Sequence, residues 1–357
     1  MNSTPKSTST TARRAQPRPV MKEVADRAGV ALSSVSRVLN GHPDVSDVMR
    51  NRVLDAVAAL GYEPDMLAQS LRTGATMTIG FLVGDISNPL MSQIALGAET
   101  ALHTAGYSTM LTNSINDPAL DVQHLRLFQQ RRVDGLLLSL SDEANAEINA
   151  ALERLEVPGV LVDRQVEDSP FAAVLSDHAT GIHVAVTHLV ELGHTRIGMV
   201  NGNPNVRPSR ERASALRRAC RSASGVSAVV KASAFSSEHG YRATLDMLRA
   251  GDAPTAVIAG SNQILVGVLR ALRELGFSVP EDISLITCDD IPLAEFLSPP
   301  ITTVSRDFRA MGHLAAELLL DQLAGGPART EILPTGFRAT DSCAAPRHRS
   351  TPRNHSA

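Results

Sequence analysis

The chain has no tryptophan, three tyrosines and eight phenylalanines in 357 residues, which argues against a nucleic-acid binder that stacks bases on aromatic platforms. Cysteine is equally scarce. Cys220, Cys288 and Cys343 lie far apart, with no CxxC pair and no matching histidine spacing, so neither a disulfide scaffold nor a zinc finger is expected and a reduced, cytoplasmic setting fits best. No apolar run approaches the roughly 18 residues that a membrane helix needs, and the N-terminus offers no apolar stretch for a signal peptide. A soluble, non-exported protein without membrane contact is the expectation. Also missing are the GxxxxGK phosphate loop, the GxSxG elbow and the GxGxxG fingerprint, and with them the commonest enzyme signatures. Of the eleven histidines, His178, His183 and His188 are five apart, a spacing that turns successive side chains onto different faces of a helix. They do not form an HExxH-like ligand pair, and surface or capping roles are expected for most of the histidines. No metal, cofactor or catalytic constellation is assigned, and the chain does not read as an enzyme.

What is present is enough to bury a core: 43% apolar against 20% charged residues, over a length that at about 150 residues per domain suggests two or three domains. Charge is uneven. Residues 1–72 hold ten Lys/Arg against seven acids, whereas the whole chain is at −3. A basic head on an acidic body points weakly toward a polyanion partner.

Residues 1–19 are almost entirely Ser, Thr, Pro, Ala and Arg, a composition that reads as a disordered basic tail. Residues 20–64 follow as three short helical segments, Met21 to Ala28, Leu32 to Leu39 and Ser46 to Leu60, with a turn at Gly29, an N-cap at Ser46 and a stop at Gly61. Met49, Val53, Val57 and Leu60 make one apolar face of the third. Residues 65–76 form a linker. From 77 to 345 short apolar strands, such as MTIGFLVG, VDGLLLSL, TRIGMVNG and ISLITCD, alternate with amphipathic helical stretches, nine strands in all. Such strands imply parallel sheets buried on both faces, here two doubly wound lobes with a ligand cleft at the strand ends. Gly106, Gly193 and Gly276 each close a helix. Residues 346–357 are expected to be a disordered tail without the leucine heptad a tetramer would use. The fold class is thus a small all-α helix-turn-helix head on an α/β body.

A helix, a glycine turn and a second helix presenting small polar residues is helix-turn-helix geometry. The second helix reads ALSSVSRVLNG; Ser33, Ser34 and Ser36 near its start and the cation Arg37 are positioned to reach base edges and phosphates in a major groove. Over VMKEVADRAGV and VSRVLNG the sequence resembles the LacI/GalR family of bacterial transcriptional regulators. The likeness continues in order through VSDVMRNRVLDAVAALGYEPDMLAQSLRTG, TIGFLVGDISNP, RVDGLLL, LVDR, SDHATG, LGHTRIG, RALRELGFSVPEDISLI, DDIPLAEF and TTV. The resemblance implies a ligand-responsive regulator, chiefly a repressor, that binds a palindromic double-stranded operator as a homodimer. By the same resemblance Leu32 and Ser33 meet base pairs, Ser36, Arg37 and Asn40 position phosphates, and Leu71, followed by Arg72, wedges into a central minor-groove step.

In the body the resemblance implies effector contacts at Asp85, Ser87, Asn88, Asp163, Arg212, Asn262 and Asp289. Carboxylates, amides and an arginine within apolar walls suit a polyhydroxylated or anionic small molecule, and a sugar is the family's commonest effector. The sequence departs from the family pattern at several points. Val20 and Ala31 stand where side-chain N-caps are usual, Leu90 and Met91 where two aromatics are usual, Ser261-Asn262 where asparagine-aspartate is usual, and Ala215-Leu216 where a glycine-aromatic pair is usual. The competing class is a stand-alone solute-binding protein on the same two-lobed body, which would need an export signal and no helix-turn-helix head.

Overall fold

The computed structural model describes residues 19–39, 41–62, 74–289 and 296–347, and the chain divides into two compact units after Thr76. The first is helical: α1 (Met21–Ala28), α2 (Leu32–Leu39) and α3 (Asp47–Leu60). Val24, Ala25 and Ala28 of α1 meet Val35 and Val38 of α2 and Val53 and Ala56 of α3 in a small core closed by Val45 and Tyr62. Gly29 and Gly61 end α1 and α3 in the left-handed conformation, φ 62° and 59°, which costs glycine nothing. Ser46 Oγ accepts the Met49 amide at the start of α3. Val20 has no side-chain acceptor to cap α1; Glu23 compensates in part by accepting the Val20 amide at 3.1 Å.

The second unit carries two six-stranded sheets. One runs β11-β5-β4-β3-β1-β2 and the other β12-β10-β9-β8-β6-β7. The chain builds β1 (Thr78–Val83), α4 (Pro89–Thr104), β2 (Ser108–Asn113), α5 (Pro118–Arg131), β3 (Gly135–Leu138), α6 (Ala146–Leu152), β4 (Gly159–Val162) and β5 (Ala172–Ser176) in lobe one. It crosses to lobe two for α7 (His178–Glu191), β6 (Arg196–Asn201), α8 (Arg207–Ser222), β7 (Ser227–Ala232), α9 (Ser237–Arg249), β8 (Ala256–Ala259), α10 (Asn262–Glu274), β9 (Ser284–Cys288) and β10 (Thr302–Ser305). It then returns for α11 (Phe308–Leu323) and β11 (Thr330–Leu333) in lobe one and ends on β12 (Gly336–Arg338) in lobe two. Three crossings therefore connect the lobes.

The interior strands β3, β4, β8 and β9 are buried along their length, whereas the edge strands β2 and β7 are not. That is the pattern of sheets covered by helices on both faces. Three strands escape the sequence reading. β10, β11 and β12, TTVS, TEIL and GFR, are broken by polar residues and show no apolar run, and β12 pairs antiparallel with β10, so the second sheet is not wholly parallel. In each lobe one pair of helices crosses at glycines. A Cβ on Gly312 of α11 would overlap the Ile94 carbonyl of α4, and one on Gly267 of α10 would overlap the Ser237 carbonyl of α9. Among the described residues, no helix is long and apolar enough to cross a membrane.

Candidate functional site

In the head, α2 turns Val35 and Val38 inward and leaves Ser33 and Arg37 exposed, Ser34 and Ser36 half-buried, and Leu32 51% exposed. The neighbouring cations are committed elsewhere. Arg52 donates to the Ala28 carbonyl at 2.6 Å, capping the C-terminus of α1, and Arg50 donates to the His42 carbonyl. The outward face of α2 thus carries short hydrogen-bonding side chains and one exposed cation, an assembly that fits base edges and phosphate. Asn40, Leu71 and Arg72 lie outside the described residues.

In the body, the strand ends of both lobes bring buried charges together. Asp163 follows β4 and Asp289 follows β9, both in positive-φ backbone, 52° and 77°. Each amide bonds to the adjacent strand: Asp163 to the Val174 carbonyl and Asp289 to the Val304 carbonyl. That pairing holds a conformation that costs a non-glycine residue energy and is common at functional sites. Arg212 of α8, 2% exposed, donates to the Gly260 carbonyl and to Asp289 Oδ1 at 3.0 Å. Arg306 donates from Nε to Asp289 Oδ1 at 2.8 Å and from Nη1 to Asp163 Oδ2 at 2.5 Å, and lies over the Phe308 ring. His178 Nε2 is 3.2 Å from both Asp163 oxygens.

The electrostatics follow from burial and pairing. Burial pushes His178 down to about 4, against the opposing pull of Asp163, so it is neutral at pH 7 and donates Nε2–H to the carboxylate. Burial alone would raise Asp163; His178 and Arg306 beside it outweigh that and hold it well below the usual carboxylate range. Burial likewise disfavours the Arg306 cation, and Asp289 and Asp163 more than restore it. At the rim Asp85 is held low in spite of partial burial by hydrogen bonds from Ser87 and Gln263.

Asp85, Asn88, Leu90, Met91, Asp163, Arg164, Arg212, Phe235, Gln263, Asp289 and Arg306 line the cavity between these groups, about 70 Å³ in volume. Across its mouth Asn262 donates to Asn88 Oδ1 at 2.9 Å and Gln263 to Asp85 Oδ2 at 3.0 Å. A larger hollow of about 630 Å³ lies between α5 and α6, lined by residues such as Gln123, Arg126, Gln130 and Glu147. It gathers no set of converging buried charges, so the inter-lobe cleft is the stronger candidate.

Comparison with known proteins assigns both units. Residues 20–65 match the model for bacterial regulatory proteins of the lacI family, and residues 186–343 match a periplasmic binding protein-like domain. The ribose operon repressor of Escherichia coli K12 is 34% identical over 85% of this chain and 92% of its own. The HTH-type transcriptional repressor PurR of Aliivibrio salmonicida is 32% identical, also over 85% of this chain and 92% of its own. This chain belongs to the LacI family. The crystal structure of the Lac repressor dimer bound to operator and the anti-inducer ONPF superposes with a TM-score of 0.80, at 27% identity, over 92% of this chain and all of that one. The chain is accordingly a DNA-binding transcriptional regulator of that family.

Of the cleft residues named from this regulator's sequence, Asp85, Asn88, Asp163, Arg212 and Asp289 line the cavity. Ser87 does not: it is exposed, and its hydroxyl and amide both donate to Asp85 Oδ1, which makes it a brace for that carboxylate. Asn262 is buried and spends its amide on Asn88. Two histidines fall outside the surface or capping roles expected for most of them: His194, 1% exposed and bonded to Thr255 and Ser284, and His178, 2% exposed and bonded to Asp163, which opens α7 where the chain crosses between the lobes. Arg306, Phe235 and Gln263 were missed. Arg306 lies just past the TTV motif, but a lone arginine between a short strand and a helix has no pattern to distinguish it from a surface cation. Phe235 supplies the one aromatic ring of the cavity wall, from lobe two, opposite the place where Leu90 and Met91 replace aromatics.

Proposed function

We propose that this regulator is a cytoplasmic homodimeric repressor that binds a roughly palindromic operator through α2 of each head, its DNA affinity being set by a sugar-like polyol in the inter-lobe cleft. The observation that carries the reading is the pair of buried carboxylates, Asp163 and Asp289, which share the cleft with the guanidiniums of Arg212 and Arg306. Neighbouring acceptors and donors of this kind serve hydroxyls, which both donate and accept and which lose affinity if either role goes unmet. Asp85 and Asn88 at the mouth extend the same chemistry, with Leu90, Met91 and Phe235 as apolar wall. A purine base needs flat apolar faces on both sides, and one phenylalanine supports a polyol better. In the head, Leu32 and Ser33 take base edges, while Ser34, Ser36, Arg37 and Asn40 position the backbone. Leu71 wedges the central step, with Arg72 beside it. A short head reads few base pairs, so two-fold symmetry and inverted half-sites follow.

The test begins with selection of an operator from random duplex DNA by the purified protein, followed by titration with and without D-ribose, other pentoses, hexoses and purine bases. One sugar is expected to change operator affinity roughly 5- to 150-fold, the usual range of allosteric coupling. A response to purines alone overturns the polyol assignment. Sedimentation showing a monomer at micromolar concentration that still binds the operator specifically overturns the dimer.

A further inference from the structure

The cavity between the lobes is about 70 Å³, against roughly 300 to 1,000 Å³ for typical small-molecule sites. The lobes are closed on their own charges. Several hydrogen bonds span them: the Glu143 amide donates to the Asn205 carbonyl at 3.1 Å, the Arg207 amide to Glu143 Oε1 at 2.9 Å, and Asn203 Nδ2 to the Ser141 carbonyl at 3.0 Å. Arg207 Nη1 also donates to the Ser176 carbonyl at 3.0 Å, and Arg210 pairs with Glu143 Oε2 at 2.7 Å, an ion pair that water reaches because the Arg210 side chain is 46% exposed. Arg306 is different. It leaves β10 at the second crossing and bonds to Asp163 of lobe one and Asp289 of lobe two, all three side chains being 9% exposed or less. Two of its N–H groups are donated to the two carboxylates and one to Ser176 Oγ, and Nη2 lies 2.7 Å from Asp289 Oδ1. Separating the lobes would part Arg306 either from Asp163 or from Asp289, which would keep Arg212, and a neutral hydroxyl carries no charge to replace the guanidinium.

We propose that Arg306 is a built-in tether that holds the two lobes closed without effector, so that an effector must part the Asp163–Arg306–Asp289 bridge to enter the cleft. The consequence for effector rests on the cleft being the effector site; the tether itself does not. The bridge sets the fraction of molecules open to ligand, and apparent affinity is reduced by that fraction. An effector then regulates by replacing one closed arrangement with another.

The Glu143 and Arg207 amides report the equilibrium, since both are donated across the lobes and exchange with solvent only when the lobes part. Hydrogen exchange is followed in the full chain, free of DNA and sugar, for wild type, Arg306→Lys, Arg306→Gln and the paired variant Asp163→Asn/Arg306→Gln. The paired variant removes opposite charges together and covers the case in which Arg306→Gln, which takes the close cation from Asp163 while Asp289 keeps Arg212, does not fold. Exchange at these two amides should rise about a hundredfold in Arg306→Gln, because removing one partner of a buried pair leaves the other charge uncompensated, and by a smaller but measurable factor in the paired variant, which loses the bridge without leaving a charge. Arg306→Lys should raise it less, since one ammonium keeps the charge but not the forked reach. Amides inside β9 should keep their wild-type rates. Unchanged exchange at Glu143 and Arg207, or an equal rise throughout β9, overturns the tether. A protein whose operator affinity ignores every sugar, yet whose Arg306 variants free these amides, loses the effector reading and keeps the tether.

Discussion

Asp163 and Asp289 occupy equivalent places in the two lobes: each follows the strand that lies beside the last strand before a crossing, each adopts positive φ, and each gives its amide to that neighbour. The two carboxylates meet on one guanidinium, that of Arg306. The cleft is therefore built by a repeated local device, and its charge balance depends on residues from three separate stretches of chain.

Acid should loosen the body in a defined window. The fold keeps His178 neutral down to about pH 4, whereas the unfolded chain takes up that proton near the ordinary histidine value of about 6.5. The unfolded state binds more protons in between, so stability falls as pH drops from 6.5 to 4, by about 3 kcal/mol at most. Asp163, held low in the fold, adds a further loss once pH falls below the ordinary aspartate value of about 3.9. Urea titrations of wild type and His178→Gln across that range check this: the variant should show a shallower slope between pH 6.5 and 4, the remainder coming from groups such as His194, which burial also lowers, and an equal slope in both proteins refutes the assignment.

Ser33 and Arg37 should separate in their effects on DNA. Ser33→Ala should relax base preference at one position of each half-site by about 1 to 3 kcal/mol. Arg37→Ala should weaken binding to all sequences alike and reduce the slope of log affinity against log salt by about 1. Binding profiles over a randomised operator library at two salt concentrations decide between these roles. A profile reshaped by Arg37→Ala and untouched by Ser33→Ala would reverse them.

Arg212→Ala should abolish the effector response and leave effector-free operator affinity within a few-fold of wild type. Asp289 keeps Arg306 as a partner in this variant, so the cost to stability should stay below the roughly 3 to 5 kcal/mol of a fully stranded buried charge. Calorimetric titration with the sugar identified for wild type, beside operator titrations with and without it, is the measurement. A full response in Arg212→Ala places the ligand elsewhere.

Gly312→Ala should destabilise lobe one by about 3 kcal/mol, because its Cβ would overlap the Ile94 carbonyl and α4 and α11 must separate to admit it. Gly225→Ala offers a contrast: nothing lies within 4 Å of that position, yet φ is +75°, so its cost is backbone strain of about 1 kcal/mol. Urea unfolding of both variants tests the ranking, and equal midpoints would contradict it.

Much of this was legible in the chain as written. The three head helices were readable because Gly29, Ser46 and Gly61 act as local stop and start signals, and nine strands because each is a continuous apolar run long enough to stand out. Asp85, Asn88, Asp163, Arg212 and Asp289 could be named because the motifs that hold them, in the same order, resemble those of the LacI/GalR family. Local patterns of this kind depend on the backbone of a few neighbouring residues, and those neighbours are adjacent in sequence. The tertiary structure alone decided the rest. Strands β10, β11 and β12 are defined by the partners they pair with and not by their own composition. The return of α11 to lobe one follows from the fit of Gly312 against α4. His178 and Arg306 acquire their chemistry from carboxylates 15 and 143 residues away from them. A histidine or arginine carries the same charge anywhere in a sequence; only folding removes the water around it and supplies the partner that makes it part of a site.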